Sequence, residues 1–290
     1  MASLEQIYYQ PHRAEISDSS LQWAELKRKP IKNLPQIVWE DNSTWAEANL
    51  WALDQATSSK RDLKTVRSNM SHLLAYAKWL EAESIQWWHF PERESERCLV
   101  RFRGALVAAR NNGELAPSTA SQRMAAVIRF YKWTLSRRLI SPEWPMWEQR
   151  FVGIKLTNPF GLEHTMRVAS TDLAIPNRKV AGAIQLEDGL LPVTVSAMKE
   201  IIALADRSAT EELSLMLRIG FFTGLRIGSI TDLKVQTLLN ATLVPEVGWK
   251  RLAVGPGARP TVSTKFGVSG SVPIPEELLE TLIVYSMSTR

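Results

Sequence analysis

Three long stretches repeat their apolar residues at the spacing of one helix face, and this limits the fold more than any other feature. They cover residues 60–82, 92–110 and 119–138. Apolar stripes at i, i+4 and i+7 predict amphipathic helices that bury one side against each other. A shorter helix is predicted over 44–56, where Thr44 and Glu47 have the form of a capping box. Residues 44–145 are therefore predicted to form an all-α bundle.

The apolar stripes predict which side chains lie inside this bundle. Gly113 suits the left-handed position that follows the second helix, and Ser118 is expected to cap the third. Pro142 and Pro145 are expected to end that helix. The predicted inward residues are Val66, Met70, Leu73, Leu74, Ala77 and Leu80, then Cys98, Leu99, Phe102, Leu106 and Ala109, then Ala120, Met124, Val127, Tyr131 and Leu135.

Two segments beside the bundle lack a clear period. Residues 1–42 are polar and interrupted by Pro11, Pro30 and Pro35, so 1–43 is predicted to be an irregular arm. Residues 146–190 fit neither helical nor strand spacing and are predicted to be a linker or an inserted subdomain. A structureless stretch of that length inside one compact domain would be unusual, so it is expected to join two domains.

The remaining segment, 191–290, mixes helices and short strands. Helices are predicted over 195–206 (capped by Thr194), over 210–222, briefly up to Leu233, and over 276–287. The expected inward residues are Met198, Ile201, Ile202 and Ala205, then Leu213, Leu217, Gly220 and Phe221. Strands are predicted at 243–244, 251–254, 261–264 and 271–274. The predicted fold class is mainly α with a small β part: an all-α bundle followed by an α+β domain.

Composition excludes several classes of protein. The longest uncharged run is far shorter than the roughly 18 apolar residues of a membrane helix, so no membrane is expected. The first residues lack the pattern of a secretory signal. The single cysteine, Cys98, excludes an internal disulfide and a cysteine-built zinc site. A reducing, cytoplasmic location is expected.

Charge is concentrated in one segment. Residues 54–145 carry fifteen Lys and Arg against nine Asp and Glu, a net charge of +6, whereas the whole chain carries +5. A localised basic surface is typical of proteins that bind a polyanion, usually nucleic acid. A solvated basic helix face gives the same signal, so charge alone leaves both interpretations open.

Two motifs carry a family resemblance. The first runs from Gly220 through Thr223-Gly224-Leu225-Arg226-Ile227 to Leu233. The second is Thr264-Lys265-Phe266-Gly267 followed by Val272-Pro273-Ile274-Pro275. Together, with the basic bundle upstream, they resemble the tyrosine recombinases of the phage-integrase family. Lys265 follows Arg226 by 39 residues, which agrees with that family.

The resemblance implies a chemistry and two active-site residues. The family cuts and rejoins DNA through a covalent phosphotyrosine, without a metal or another cofactor. It implies that Arg226 stabilises the charged phosphorane, a role that suits a planar guanidinium with paired donors. It implies that Lys265 protonates the leaving 5′-oxygen as a general acid. Duplex DNA is the implied partner, with self-association on DNA as in the family.

The sequence also departs from the family pattern. The family's later H-x-x-R motif and nucleophilic tyrosine would lie beyond Arg290, so we expect this chain alone not to cleave DNA. His164 and Arg167 spell H-x-x-R upstream of Arg226, which is expected to be chance. Tyr285 is expected to be a core residue. Ser229 stands where the family usually has an acid.

Candidate DNA contacts in the bundle follow from helix faces. They could bind phosphates, which gives affinity with little sequence readout. A solvated basic face is an equal alternative for each one. The candidates are Lys60, Arg61, Lys64, Arg67, Gln122, Arg123, Arg129 and Lys132.

Three functional hypotheses remain. The first is a site-specific recombinase, of which this chain carries DNA binding and part of the active site. The second is a non-catalytic DNA-binding regulator or decayed homologue with the same fold. The third is a helical interaction protein with a basic surface, which the Lys265 motif disfavours.

Overall fold

The structure is a computed structural model of the 290-residue chain that describes residues 1–17, 20–58, 61–157, 163–177, 193–244 and 247–288. Its contacts divide the chain into two units, residues 1–181 and 182–290. Both combine helices with small antiparallel sheets, which confirms the predicted fold class. The predicted domain bounds, at 1–43, 44–145, 146–190 and 191–290, stay predictions.

The first unit opens with two strand pairs. β1 (Ser3–Tyr9) pairs with β4 (Ile31–Val38), and β2 (His12–Ser17) pairs with β3 (Ser20–Glu25). The prediction that 1–42 is irregular is therefore wrong. Pro35 lies inside β4, which has a ladder on one side only, and an edge strand tolerates a residue without an N–H. Proline signals alone thus underestimated the strand content of this segment.

These strands belong to the core of the bundle. β4 packs on α1 (Ala46–Thr57) and α2 (Leu63–Ala82). The buried Asn49 side chain accepts from the Ile37 amide at 2.7 Å and donates to the Ile37 carbonyl at 3.1 Å. With the Trp45 amide, which also donates to the Ile37 carbonyl at 3.0 Å, Asn49 satisfies the backbone groups of Ile37 on this edge of β4.

The bundle is completed by α3 (Cys98–Asn111), which follows a 3₁₀ turn at Glu94–Glu96, and by α4 (Pro117–Ser136). The predicted inward residues are buried or partly buried, with one exception: Leu135 is 38% exposed. Gly113 has φ +77°, as predicted.

Two predicted helix starts are wrong. α1 has Trp45 at its N-cap without a side-chain hydrogen bond, so Thr44 and Glu47 do not form a capping box. α4 begins one residue before Ser118, because Pro117 occupies its first turn and Ala116 its N-cap. Proline favours the first helical turn, where its missing N–H has no intrahelical partner.

A polar cluster lies inside the aromatic core. The Tyr131 hydroxyl donates to the Trp87 carbonyl and contacts the Tyr76 hydroxyl at 2.9 Å, while the Cys98 thiol donates to the same carbonyl at 3.4 Å. Burial raises the pKa of Tyr76, Tyr131 and Cys98. These groups therefore stay protonated and act as hydrogen-bond donors in the core.

The segment after the bundle contains an antiparallel hairpin. β5 (Gln149–Thr157) pairs with β6 (Glu163–Thr171) over nine residue pairs. The Arg167 guanidinium lies 3.8 Å from the centroid of the exposed Phe151 ring. Leu173 and Ile175, which follow the hairpin, are buried in the bundle core. The described part of this segment is therefore an ordered strand pair attached to the first unit.

The second unit begins with α5 (Val195–Ser208), α6 (Glu211–Thr223), α7 (Ile227–Ile230) and α8 (Val235–Leu239). The sheet β7–β8–β9 follows, with strands Thr242–Leu243, Trp249–Val254 and Gly270–Pro275, and α9 (Glu276–Met287) closes it. The core residues are Leu215, Ile219, Ile230, Leu238, Leu252, Ile274, Leu278, Leu279 and Leu282.

Some local predictions for this unit hold and others do not. The Thr194 hydroxyl accepts from the Ala197 amide, as predicted for a cap. Residues 261–264 are not a strand, because only Val262 forms a bridge, to Gly255. The helix α8 was not predicted. Leu213 and Ile201, expected inside, are 48% and 38% exposed.

Two further observations apply to the residues that the structure describes. None of their helices is both long and apolar enough to cross a membrane. No group of three His, Cys, Asp or Glu side chains among them could hold a metal ion.

The Tyr131 hydroxyl should be important for stability. Tyr131→Phe removes the hydroxyl that donates to the Trp87 carbonyl and contacts Tyr76, so only the weak Cys98 thiol donor remains on that carbonyl. A buried polar group that loses its main hydrogen bond costs about 1–3 kcal/mol. We expect urea unfolding to show that decrease in the free energy of unfolding. The matched control is Tyr8→Phe, since Tyr8 is 62% exposed; equal stability of the two variants would contradict the role of the cluster.

Candidate nucleic-acid interface

Arg226 lies in a tight turn between two helices. α6 ends at Gly224, which adopts φ +67° and whose amide donates to the Gly220 carbonyl at 3.0 Å. An L-residue with a side chain rarely adopts this backbone conformation, so glycine fits the position. Arg226 then starts α7, with its carbonyl accepting from the Ser229 and Ile230 amides. This left-handed turn presents Arg226 at the surface.

Lys265 lies on a second tight turn, a 3₁₀ segment at Lys265–Gly267. The preceding residues, 261–264, are not the strand that the sequence predicts. Phe266 and Gly267 both have φ +64°. For a bulky residue such as Phe266 this conformation costs about 1–2 kcal/mol. The turn therefore stores strain next to a candidate catalytic residue.

Hydrogen bonds and close packing hold this strained turn. The Thr264 hydroxyl donates to the Val268 carbonyl at 2.6 Å, which closes the turn. On the other side, the chain passes so close to Gly255 that a Cβ there would clash with the Val268 carbonyl. Gly255 also has φ +98°, so both space and backbone conformation favour glycine.

The segment before Lys265 is attached to the helix that starts at Arg226. The Ser229 hydroxyl donates to the Ser263 carbonyl at 2.7 Å, and the Ser263 amide donates to the Asp232 carboxylate at 2.6 Å. Lys234 Nζ donates to the Thr261 carbonyl at 2.8 Å. We call Ser229, Asp232 and Lys234 the clamp. Ser229, at the position where the resemblance implies an acid, therefore serves as one of the clamp's donors.

The charge state of the clamp is well defined. The Lys234 ammonium, with additional help from the Ser263 amide, lowers the pKa of Asp232 from 3.8 to about 2. Asp232 and Lys234 form an ion pair at 2.9 Å. Because the folded-state pKa lies below the ordinary value, this pairing stabilises the folded chain above pH about 4. The stabilisation is lost as the pH falls toward 2.

Arg226 and Lys265 line the same open pocket of about 360 Å³. Its wall also includes Ser229, Phe266 and Val268, and no Asp or Glu is among the described residues that form it. A guanidinium and an ammonium that line one pocket both attract an anion such as a phosphate. The structure therefore brings the two predicted catalytic residues together in a site suited to phosphate.

Two other residues considered from the sequence lie elsewhere. The Tyr285 hydroxyl donates to the Glu212 carboxylate at 2.7 Å, and Tyr285 lines a different, mostly apolar pocket. Its ring is packed against the core of the second unit, in line with the core interpretation. His164 lies on β6, in the first unit.

A second positive site lies on the bundle, where α2 and α4 meet. Among the predicted DNA contacts, Arg61, Arg123 and Arg129 belong to it. None of the three forms an ion pair with a carboxylate in the described parts of the chain. Burial, and then the charge of Arg61, lowers the pKa of Arg129. We call these arginines and the neighbouring His72 the α2–α4 basic cluster.

Neutral amides hold two of these arginines. Arg129 Nη2 donates to Asn69 Oδ1 at 3.0 Å, and Asn69 Nδ2 donates to Gln55 Oε1 at 2.7 Å. Arg61 Nη1 donates to the same Gln55 oxygen at 3.2 Å. An amide oxygen orients a guanidinium without cancelling its charge, so the cluster stays positive and keeps donors for an anion.

His72 is a member of the cluster that the sequence did not indicate. Burial lowers its pKa most, followed by the charges of Arg123 and Arg129, while the Gln122 side chain acts in the opposite direction. The sequence around a single histidine on a helix does not show which residues lie next to it in the folded protein. Its position beside two arginines is produced by the packing of α2 on α4.

The other predicted DNA contacts are more scattered. Lys64, Gln122 and Lys132 are exposed. When the Gln6 amide is oriented so that its oxygen faces Arg67, the Arg67 guanidinium donates two hydrogen bonds to that oxygen, at 3.1 and 3.2 Å. Lys60 lies outside the described residues.

The ion pair of the clamp gives a direct titration test. We expect the Asp232 carboxyl to titrate with a midpoint of about 2 in an NMR pH series. Lys234→Met should raise that midpoint toward the ordinary 3.8, because Lys234 is the largest cause of the shift. Lys250→Met is the matched control, since Lys250 pairs with Glu276 instead. An unchanged Asp232 midpoint in Lys234→Met would refute the clamp geometry.

Comparison with solved structures gives matches that include a site-specific recombinase. The chain superposes on the site-specific recombinase XerH, solved with its palindromic difH substrate in a post-cleavage complex, with a TM-score of 0.44 and 13% identity. The match covers 83% of this chain and spans 57% of the length of that protein. No protein-family model matches the chain, and no curated protein matches it in sequence.

Proposed function

We propose that this protein binds duplex DNA and holds a backbone phosphate between Arg226 and Lys265 for site-specific recombination. The observation that carries the proposal is the shared pocket: two residues 39 positions apart in sequence line one cavity. This is the arrangement that phosphoryl transfer without a metal requires, because the protein itself must supply the positive charge.

Each residue has a separate chemical task in this proposal. Arg226 donates to the non-bridging phosphate oxygens, where negative charge develops in the phosphorane. Lys265 lies on the turn beside it and donates a proton to the leaving 5′-oxygen. No cofactor takes part. The clamp contributes by keeping the Lys265 turn attached to the Arg226 helix.

The proposal assigns DNA binding and part of the active site to these residues. Cleavage and rejoining through a phosphotyrosine also needs a tyrosine nucleophile. Tyr285 does not line the pocket of Arg226 and Lys265, and its hydroxyl is hydrogen-bonded to Glu212. We therefore do not assign the nucleophile to Tyr285. Self-association on DNA and a cytoplasmic location, close to the DNA, belong to the same proposal.

The second candidate function is a DNA-binding regulator without chemistry. It is favoured by one observation: Ser229 stands at the position where the resemblance implies an acid. The two functions differ in how the chain acts on a duplex with a 5′-bridging phosphorothiolate when hydrogen peroxide replaces the unassigned tyrosine as the nucleophile. With a recombinase active site, the peroxide cleaves the strand at that phosphate, and cleavage should fail in Arg226→Ala. A regulator gives no cleavage at all.

The first test of DNA binding uses the α2–α4 basic cluster. Arg129→Gln should weaken binding to a labelled duplex by about tenfold, since a charge-assisted hydrogen bond contributes about 1.5 kcal/mol or more. It should also reduce the slope of log K against log salt by about 0.9, the value for one lost phosphate contact. Fluorescence anisotropy over a salt series measures both.

The matched control is Arg93→Gln, which removes the same charge. Arg93 is exposed and pairs with Glu96 at 3.1 Å, outside the cluster. We expect a small effect of that variant on affinity and slope. Equal losses in the two variants would show that only net charge matters, and binding without salt dependence would contradict the proposal.

The pH dependence of binding tests His72. Its pKa is lowered in the free protein, so His72 is neutral at pH 7. The charged groups that act on it, Arg123 and Arg129, come from α4; a phosphate bound between them would offset their repulsion and raise the pKa of His72. DNA binding would then take up a proton, and affinity should increase as the pH falls from 7.5 to about 5.5.

Substitution of His72 should remove this trend. In the wild type, the uptake of one proton changes K by at most about tenfold per pH unit. We expect His72→Gln to remove this slope from the plot of log K against pH. His89→Gln is the control, because His89 is exposed and distant in sequence from the cluster. A pH slope that persists in His72→Gln would assign the proton to another group.

A further inference from the structure

Phe266 combines two unfavourable features that the fold does not explain. Its side chain is 90% exposed, so the ring adds almost no hydrophobic stabilisation to the fold. Its φ of +64° lies in the left-handed region that a bulky residue avoids. Gly or Asn would be more stable here on both counts. Strain and exposure at one residue beside a candidate active site point to a function for the ring outside the folded chain.

The ring is held on a rigid support. The Thr264 hydroxyl closes the turn on the Val268 carbonyl, and the Gly257 amide donates to the Ser269 hydroxyl at 2.8 Å. The close approach of the chain to Gly255 fixes the other side. Through these contacts and the clamp, the turn is tied to the Arg226 helix. Phe266 therefore projects from a positioned turn.

The surroundings of the ring indicate the chemistry of its partner. Lys265 Nζ lies 5.3 Å from the centroid of the Phe266 ring, and Val268, 63% exposed, follows on the same turn. The partner must offer an anion to Lys265 and Arg226. Within a few ångströms of that anion it must also offer a flat apolar surface to Phe266. Duplex DNA has both, because its phosphates flank stacked bases.

We propose that Phe266 is a wedge that inserts against a base step of the DNA next to the phosphate held by Arg226 and Lys265. The inference rests on the proposed function. Apolar side chains that enter the stack in this way separate neighbouring bases and kink the duplex. In this role Phe266 would keep two neighbouring bases apart, next to the phosphate that the pocket of Arg226 and Lys265 binds.

The test compares two duplexes that differ only in how easily their bases separate. One is fully paired, and the other carries single mismatches at regular intervals, so that no target sequence needs to be known. A wedge binds the mismatched duplex more tightly, because part of the unstacking has already occurred. We expect the 290-residue chain to prefer it by about tenfold in anisotropy titrations.

Variants of Phe266 separate the wedge from a structural role. Phe266→Asn should lose the preference for mismatches while its thermal unfolding midpoint stays equal to or above that of the wild type, because Asn tolerates a positive φ. Phe266→Tyr keeps the ring and should keep the preference. Phe151→Asn, which removes an exposed phenylalanine from the first unit, should bind both duplexes like the wild type.

The outcomes are distinguishable. Loss of preference in Phe266→Asn alone, with unchanged stability, supports the wedge. Equal binding of both duplexes by the wild type overturns it while leaving DNA binding intact, and so does a preference that survives in Phe266→Asn. Self-association in sedimentation that Phe266→Asn abolishes, with the mismatch preference unchanged, assigns the ring to a second copy of the chain. Binding to neither duplex overturns the proposed function and the wedge with it.

Discussion

The candidate active site depends on the attachment of residues 261–263 to the helix that follows Arg226. Neither Arg226 nor Lys265 lies on a long, regular element: one begins a four-residue helix and the other lies on a three-residue turn. Isolated short segments of this kind do not hold a fixed geometry in water. The clamp gives them one by joining a hydroxyl, a carboxylate and an ammonium to three backbone groups. The shared pocket follows from those bonds.

The α2–α4 basic cluster keeps its positive charge because two of its arginines are bound to partners that do not cancel it. In the bundle, the amides of Asn69 and Gln55 orient Arg129 and Arg61. In the second unit, the carboxylate of the clamp, Asp232, is paired with Lys234. Repulsion between neighbouring cations raises the free energy of the unbound protein, and a bound polyanion reduces that repulsion.

Local patterns allowed much of the bundle to be predicted. The stripe in α2 placed Met70, Leu73 and Ala77 in the core correctly, because helix periodicity depends only on which residues repeat along one chain. The same reasoning failed for Leu135 and Leu213, which lie at helix positions that no neighbouring element covers. It also failed for the N-terminal strands, where Pro35 suggested an interruption. Whether a proline disrupts a strand depends on which edge is paired, and that is not a local property.

Sequence alone determined the helical stripes, and the motifs that resemble the tyrosine recombinases made Arg226 and Lys265 candidates for phosphate chemistry. Each of these depends on residue type and spacing within a short segment or a motif. Tertiary structure alone decided that Arg226 and Lys265 share a pocket, that Ser229 joins the clamp, and that His72 lies beside Arg123 and Arg129. Those relations join residues dozens of positions apart. They exist only after the burial of apolar surface has fixed which polar groups meet.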